Sequence, residues 1–262
     1  MAAFTEEEMS EFQIQKWYDL TGEVAIVTGG GTGLGLAITR CLVSAGAKVA
    51  VVSRKYEEAL KEFGDNVRFY AHDISDTEHA PELVSKIVED FGKVTILVNN
   101  AGNHCKKFIW DMSVDDYKSV LDVHLVGSFA ITKAVVPYLK EQKHGRIIFQ
   151  ASMTSYIGQP QVCGYATAKA GFLGMIHVLT AELAEYGVTV NAVAPGWIDT
   201  PMFHKAVDTD PQRLAKIMGR IPAKTVGDPM DIGMVCAFLC SDAARYISGS
   251  CIPVDGGALI GF

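Results

Sequence analysis

The stretch TGGGTGLG, Thr28–Gly35, decides the fold because of the segments on either side of it. The apolar run EVAIVT (23–28) leads into it, and the amphipathic run LGLAITRCLVSAGA (34–47) follows. Glycines between a strand and a helix allow the backbone to turn tightly and approach a pyrophosphate, and the helix N-terminus offers free N–H groups. The stretch therefore predicts dinucleotide binding by Gly29, Gly31, Thr32, Gly33, Leu34 and Gly35.

Short apolar runs alternate with helical patterns along the rest of the chain. These runs are KVAVVS (48–53), VRFYAHD (67–73), VTILVNN (94–100), RIIFQAS (146–152), VTVNAVAP (188–195) and SCIPVDGG (250–257). Seven strands of continuous apolar character, separated by helices, indicate a parallel sheet that is covered on both faces. We predict an α/β fold with one doubly wound domain over residues 20–262, preceded by an N-terminal arm over residues 1–19.

Composition and charge limit the function classes. The chain has 262 residues and a net charge of −7, which disfavours nucleic-acid partners and anionic membranes. We predict no membrane span, since no uninterrupted apolar run approaches the ~20 residues required. The acidic start, MAAFTEEEMSEFQ, lacks a signal-peptide pattern, and we expect a cytoplasmic protein. The six cysteines form no C-x-x-C pair, so we expect reduced thiols and no metal site.

The end of the second predicted strand indicates which dinucleotide binds. An acidic residue there would bind the ribose hydroxyls of NAD, but this chain has Ser53 and Arg54. A serine does not repel a 2′-phosphate, and a guanidinium can bind one through two hydrogen bonds. We therefore predict NADP(H), although Arg54 is alternatively an ordinary surface residue. Asp73 and Ile74, at the end of the third strand, are placed to contact the adenine.

Five motifs in register resemble the short-chain dehydrogenase/reductase family over about residues 20–257. They are TGGGTGLG, NNAG (99–102), Ser152, YATAK (165–169) and APG (194–196). The resemblance implies a Rossmann fold with a seven-stranded sheet and an oxidoreductase that transfers a hydride between a nicotinamide cofactor and a carbonyl or secondary alcohol. It also implies assembly as a homotetramer.

The resemblance gives Ser152, Tyr165 and Lys169 catalytic roles. Tyr165 and Lys169 are four residues apart and share one helix face, a spacing that alone is also common by chance. Hydride transfer to a ketone leaves an oxyanion that must receive a proton. Tyr165 is the implied proton donor, with its pKa lowered by the ammonium of Lys169. Lys169 would also bind the nicotinamide ribose, and Ser152 would orient the substrate oxygen.

The resemblance also extends the cofactor site beyond the glycine-rich turn. Asn99 is expected to brace the strands through its side chain. The remaining implied cofactor contacts are Asn100, Ala101, Gly102, Pro195, Gly196, Ile198, Thr200 and Met202.

His124 departs from the family pattern, which commonly has Asn in the motif that reads DVHLVGSF here. That Asn helps to hold a water that links the lysine to solvent. A neutral imidazole can donate and accept hydrogen bonds, so His124 is a candidate replacement for the amide. Alternatively, it is a hydrogen-bonded helix histidine and the proton relay runs elsewhere.

Three segments are expected to form the substrate pocket: the loop after NNAG, the residues after Ser152, and a substrate loop at about 201–223. Their candidate substrate residues are Lys106, Lys107, Gln159, Phe203 and His204. Polar and basic groups suit hydroxylated or anionic substrates, as in the polyol, sugar and sugar-acid reductases of the family. Alternatively, the two lysines are solvated loop charges.

Two other functions are compatible with the motifs. One is reduction of a 3-oxoacyl thioester by the same hydride chemistry. The other is a cofactor-binding subunit without catalytic activity, which the presence of Ser152, Tyr165 and Lys169 disfavours.

Overall fold

Seven parallel strands form one sheet in the computed structural model, which describes residues 13–261. Their order in the sheet is β3-β2-β1-β4-β5-β6-β7. The strands are β1 Val24–Thr28, β2 Lys48–Ser53, β3 Val67–Ala71, β4 Ile96–Asn99, β5 Gly145–Gln150, β6 Val188–Pro195 and β7 Cys251–Val254. The predicted doubly wound α/β fold is confirmed. Several strands end earlier than their apolar runs, and the residues that follow β4 and β5 line the cleft described below.

Helices cover both faces of this sheet. They are α1 Gly33–Ser44, α2 Ala80–Phe91, α3 Val114–Leu121, α4 Ser128–Gln142, α5 Cys163–Leu183, α6 Pro201–Val207, α7 Pro211–Arg220 and α8 Pro229–Cys240. Successive strand residues point to opposite faces. In β1, Val24 and Ile26 therefore belong to the core under α2, α4 and α5, whereas Ala25 and Val27 belong to the core under α1 and α8.

The strand order reverses between β1 and β4, and this reversal places the ligand crevice. In open α/β sheets the crevice lies outside the carboxyl ends of the strands at this point. The two strand ends are tied together by Thr28, whose Oγ1 accepts hydrogen bonds from the backbone N–H of Asn100 (2.9 Å) and Ala101 (3.0 Å). The residues that follow β1 and β4 are thus held next to each other.

A π-helical turn, Asp122–Gly127, joins α3 to α4 in one continuous helical segment. This segment, Val114–Gln142, is 29 residues long and apolar enough to pass as a membrane span by length and composition, a test that the core helix of a soluble protein also passes. The sequence analysis predicted no membrane span, because charged residues interrupt the apolar runs of this segment. In the structure α3 packs against α5, and α4 packs against α2 and β5.

The described part of the N-terminal arm lies against the domain. It forms a short 3₁₀ turn over Ile14–Trp17, and the Tyr18 ring lies 6.0 Å from the Phe238 ring of α8. Residues 1–12, which include Phe12, lie outside the described residues. At the other end of the chain, Ala258 is buried and Ile260 is 84 % exposed. The division into an arm over 1–19 and a domain over 20–262 stays a prediction.

Candidate active site

A cleft of about 660 Å³ opens at the carboxyl ends of β1, β4, β5 and β6. Its lining brings together most of the residues that the sequence analysis singled out. From that set it contains Gly29, Thr32, Gly33, Leu34, Gly35, Asn100, Ala101, Gly102, His124, Ser152, Tyr165, Lys169, Pro195, Gly196, Ile198, Thr200 and Met202, together with Lys106, Gln159 and Phe203.

The glycine-rich turn fits a pyrophosphate. Gly29 and Gly33 have positive φ angles of 67° and 52°, which glycine adopts without strain. A Cβ on Gly35 would overlap the carbonyl oxygen of Gly29, so helix α1 can start this close to β1 only with glycine there. Thr32 caps α1 without a side-chain hydrogen bond, and the first turn carries no acidic residue. The free N–H groups of this helix N-terminus can therefore donate hydrogen bonds to an anion.

Asn100 holds the two sides of this turn together. Its Nδ2 donates to the carbonyl oxygens of Thr28 (2.9 Å) and Gly29 (3.3 Å). Asn99 points away from the cleft and donates from Nδ2 to Thr132 Oγ1 at 3.0 Å. Asn99 therefore ties β4 to helix α4, as a bracing residue would.

The residues predicted to contact the adenosine half of the cofactor lie next to the cleft rather than in its lining. Ser53 Oγ donates to the carbonyl oxygen of Lys55 (2.8 Å), and Arg54 is exposed. Hydrogen bonds from the Ser75 hydroxyl and backbone N–H hold the pKa of Asp73 below its ordinary value, and the nearby Arg54 charge adds to this. Ile74 is buried against the backbone at Gly127, where a Cβ would overlap the Ile74 carbonyl oxygen. Gly31 packs on the side chain of Glu57.

The segment after β6 forms the opposite wall of the cleft. Pro195 ends the strand, and a Cβ on Gly196 would lie 2.6 Å from Asp255 Cβ, so the chain can pass there only with glycine. Ile198 pairs with Gly227 in an isolated parallel bridge. Thr200 caps α6, with its Oγ1 accepting from the Phe203 N–H at 3.2 Å. Its hydroxyl proton remains available for a ligand.

Ser152, Tyr165, Lys169 and His124 together form what we call the floor of the cleft. Ser152 lies two residues beyond β5, and its Oγ accepts from the Thr154 N–H at 3.1 Å. Tyr165 lies in the first turn of α5 and is half-buried. Burial raises the pKa of the Tyr165 phenol, and a hydrogen bond with Ser152 opposes this rise. The phenol is therefore protonated at neutral pH and can act as an acid.

Lys169 is buried one turn further along α5, with 4 % of its surface exposed. Its Nζ donates a hydrogen bond to the Gln150 carbonyl oxygen and lies 5.5 Å from the centre of the Tyr165 ring. Burial lowers the pKa of Lys169 to about 7. We predicted that the Lys169 charge lowers the phenol pKa. In this arrangement burial of both groups dominates and the pKa of Tyr165 is raised instead.

His124 is placed in the floor by the π-helical turn and is 2 % exposed. Its Nε2 lies 3.1 Å from the backbone nitrogen and 2.8 Å from the carbonyl oxygen of Asn103. A Cβ on Gly102 would overlap the imidazole, so glycine is required there. Burial, with a smaller effect of the Lys169 charge, lowers the pKa of His124 to about 3, so the ring is neutral. Its Nδ1 is buried and has no hydrogen-bond partner among the residues that the structure describes.

His104 is a cleft residue that the sequence analysis did not select. Its ring lies 4.4 Å from the Tyr165 ring, at an angle of 32°, and it lines the cleft. Burial, followed by the charges of Lys106 and Lys169, lowers its pKa to about 4. A signal was present, because His104 stands two residues after NNAG in a segment already expected to form the pocket.

Lys106, Phe203, Lys205 and Arg213 form what we call the mouth of the cleft. Lys106 and Phe203 were predicted as substrate residues, and Gln159 also lines the cleft. Lys205 and Arg213 lie within the predicted substrate loop but were not selected as substrate residues, because nothing in the spacing of α6 and α7 indicates which of their faces meets the cleft.

The structure does not bring two predicted substrate residues, Lys107 and His204, into the cleft. Lys107 Nζ forms an ion pair with Asp116 at 2.7 Å, at the start of α3. The exposed His204 lies 2.6 Å from Asp199 and 3.0 Å from Asp208. Both side chains are therefore held by carboxylates outside the cleft.

Comparison with known proteins agrees with this geometry. A sequence profile described as enoyl-(acyl carrier protein) reductase matches residues 29–258. A 3-oxoacyl-[acyl-carrier-protein] reductase of Thermotoga maritima is 35% identical over 248 residues, which cover 92% of this chain and 99% of that protein. A 2-dehydro-3-deoxy-D-gluconate 5-dehydrogenase of Pseudoalteromonas atlantica is 36% identical over 247 residues, covering 92% of this chain and 97% of that protein.

A solved structure also shares the whole fold. The gluconate 5-dehydrogenase of Burkholderia cenocepacia, in complex with NADP and tartrate, superposes with a TM-score of 0.90 at 27% identity, covering 95% of this chain and all 100% of that one. The predicted family, oxidoreductase class and cofactor class are confirmed by these relatives. The chain belongs to the short-chain dehydrogenase/reductase family.

Proposed function

We propose that this enzyme transfers a hydride between NADP(H) and the carbonyl or secondary alcohol of a sugar, polyol or sugar acid. The observation that carries the proposal is the floor of the cleft, where Ser152, Tyr165 and Lys169 lie together beside the glycine-rich turn. The relatives named for gluconate derivatives support the substrate class. The mouth supports it too, because cationic and polar side chains favour hydroxylated and anionic ligands.

The side chains of the floor would act on the substrate oxygen. NADPH, when bound, supplies the hydride. The Ser152 hydroxyl orients the carbonyl oxygen, and the Tyr165 Oη donates the proton that this oxygen needs as negative charge develops. The raised pKa keeps the phenol protonated until that step. Lys169 lies one turn away, where its ammonium can bind the nicotinamide ribose and stabilise the resulting phenolate.

A preference for NADP over NAD is supported at the end of β2. Ser53 is the last residue of the strand, and the Arg54 guanidinium is exposed with no carboxylate of the described residues within ion-pair distance. A free guanidinium can bind a 2′-phosphate through two hydrogen bonds. We expect Arg54→Ala to raise the KM for NADPH about tenfold and to leave the KM for NADH unchanged. An unaltered preference would contradict this assignment.

A second candidate is reduction of a 3-oxoacyl thioester. It is favoured by the name of the Thermotoga maritima relative and by the apolar part of the cleft wall, which includes Trp197, Phe203 and Ile217. An acyl chain could pack on this wall, whereas a sugar acid has little apolar surface to bury there. The two candidates share their hydride chemistry and differ only in the substrate.

The predicted homotetramer is also part of the proposal. Large apolar side chains are exposed on α4 and α5 and before α3, among them Trp110, Phe129 and Val178. Such side chains are usually covered by a partner when they form a contiguous surface. Sedimentation equilibrium would test this, with a tetramer expected and a stable monomer contradicting it.

The substrate test is NADPH oxidation by the purified protein with keto-gluconate, fructose, sorbose and an acetoacetyl thioester, with NADH run in parallel. Tyr165→Phe serves as the matched inactive control. We expect turnover of the sugar-derived ketones with NADPH. Turnover of the thioester alone would favour the second candidate, and no turnover of any substrate would favour a cofactor-binding subunit without catalytic activity.

A further inference from the structure

Charge is distributed unevenly between the cleft and the rest of the molecule. The protein has a net charge of −7, yet its cleft lining contains Lys106, Lys169, Lys205 and Arg213 and, within residues 13–261, no aspartate or glutamate. Lys169 belongs to the floor, where it donates to the Gln150 carbonyl oxygen. The other three lie at the mouth, and among the described residues none of them forms an ion pair with a carboxylate. Other lysines nearby do form such pairs, for example Lys107 with Asp116.

His104 connects the proton donor Tyr165 with the mouth of the cleft. The His104 ring contacts the Tyr165 ring, with 4.4 Å between the ring centres and a tilt of 32°. His104 and Lys106 stand two residues apart in the same loop, and the charge of Lys106 lowers the pKa of His104. Lys106 in turn is close enough to Arg213 that burial and the Arg213 charge lower its own pKa. Lys106 and Arg213 thus bring two cations from separate segments, the loop after β4 and helix α7, to the lining of one cleft.

Arg213 is held at the cleft by its helix. Ile217 lies one turn further along α7, on the same face, and also lines the cleft. Ile217 is buried in a small apolar cluster with Val207, Ile221 and Ala258, so this face of α7 is fixed to the domain. The backbone N–H of Arg213 donates to the capping residue Asp210 at 2.9 Å. Its guanidinium is not used by these contacts.

We infer that Lys106 and Arg213 form a subsite for an anionic group of the substrate, placed at the mouth and away from the carbonyl oxygen that Tyr165 protonates. This inference rests on the proposed function and names its substrate class as a hydroxylated keto acid. Lys106 and Arg213 form no ion pair with a carboxylate of the described residues, so a ligand that brings a negative charge between them is favoured. The planar guanidinium of Arg213 can donate two parallel hydrogen bonds to a carboxylate. The phosphate of a carrier thioester is also negatively charged, so the test must distinguish a substrate carboxylate from a carrier phosphate.

The test compares 5-keto-D-gluconate with L-sorbose, its neutral counterpart, in which a hydroxymethyl group stands in place of the carboxylate. We expect Arg213→Met to lower kcat/KM for the keto acid about 10- to 100-fold, mainly through KM, with less than about a threefold effect on sorbose. Lys106→Met should show the same selectivity, and Arg213→Lys should restore part of the loss. Lys216→Met is the matched control, since Lys216 is exposed on α7 outside the cleft lining, and it should change neither value.

A binding measurement gives a readout that does not depend on turnover. Calorimetry on the complex with NADPH should show gluconate binding that Arg213→Met weakens at least about tenfold, with sorbitol binding unaffected. If Arg213→Met weakened binding of gluconate and sorbitol equally, the subsite would be overturned while the proposed function stayed intact. The same would follow if the variant were active and bound both ligands as tightly as wild type.

Failure of the proposed function would look different, because it would already be visible in the wild-type enzyme. An enzyme that reduces acetoacetyl coenzyme A and neither sugar-derived ketone would overturn both the function and the keto-acid subsite. In that case the N-acetylcysteamine thioester, which lacks a phosphate, shows whether the two cations bind the phosphate. Arg213→Met would then lower activity on the coenzyme A thioester alone.

Discussion

The floor and the mouth of the cleft differ in what holds their side chains in place. At the floor, Ser152 follows the interior strand β5, while His124 and Lys169 are buried and hydrogen-bonded to backbone atoms. At the mouth, Lys106 and Lys205 are exposed on a loop and a short helix. Under the proposed function, we expect the floor to fix the reaction geometry and the mouth to select among substrates. Changes at the floor should alter rate or stability, and changes at the mouth should alter selectivity.

The largest effect is expected from the floor residue Tyr165. Tyr165→Phe removes the proton donor and keeps the ring that contacts His104, so binding of NADPH should be retained. We expect kcat for carbonyl reduction to fall on the order of 10³-fold, as for other losses of a positioned general acid. Steady-state rates and NADPH fluorescence titration measure the two quantities. Unchanged turnover would remove Tyr165 from the mechanism and with it the distinction between floor and mouth.

The second effect concerns stability and also belongs to the floor. Lys169 has a pKa of about 7 in the folded protein, against an ordinary value of 10.5, so between these two pH values the unfolded state binds more protons than the folded state. Stability of the wild-type protein therefore rises with pH across this window. Lys169→Met should abolish activity and raise the free energy of unfolding at pH 7, by up to about 4 kcal/mol less the cost of leaving the Gln150 carbonyl oxygen without its donor.

Urea unfolding of the two proteins at pH 7 and pH 9 measures this difference. The stability advantage of the variant should shrink by about half at pH 9, because the free-energy cost of removing the proton from Lys169 on folding falls as the pH approaches its ordinary pKa of 10.5. A variant less stable than wild type at both pH values would show that the hydrogen bond to Gln150 outweighs the burial of the charge.

A smaller effect at the floor distinguishes the two interpretations of His124. If the buried Nδ1 takes part in a hydrogen-bonded relay to Lys169, His124→Asn should keep kcat within about tenfold, since an amide also donates and accepts. His124→Leu should then lose more than about a further tenfold in kcat without a matching change in Tm. Equal kcat values for the two variants would make His124 a structural residue that fills the space beside Gly102.

The sequence predicted the floor well and the mouth incompletely, for a physical reason. Motifs such as TGGGTGLG and YATAK stand at strand ends and helix starts, where the fold leaves the backbone little freedom, so sequence position nearly determines spatial position. Lys107 and His204 were misplaced because neighbouring residues in a loop or short helix point in different directions, and carboxylates outside the cleft hold both side chains. Arg213 was missed because its place depends on how α7 packs near Ala258, which is distant in sequence.

The smallest effect is expected from His204, just outside the mouth. Hydrogen bonds with Asp208 and Asp199 raise the pKa of His204, so its protonated form is favoured in the folded protein. The contribution to stability is fully present below the unfolded pKa and is lost as the pH rises through the folded pKa. His204→Gln should therefore lower Tm slightly at pH 5.5 and leave it unchanged at pH 8.5, with kcat/KM for every substrate within about twofold of wild type. A large loss of kcat/KM for keto-gluconate alone would instead mean that His204 leaves its carboxylates to bind substrate, which would extend the mouth along α6.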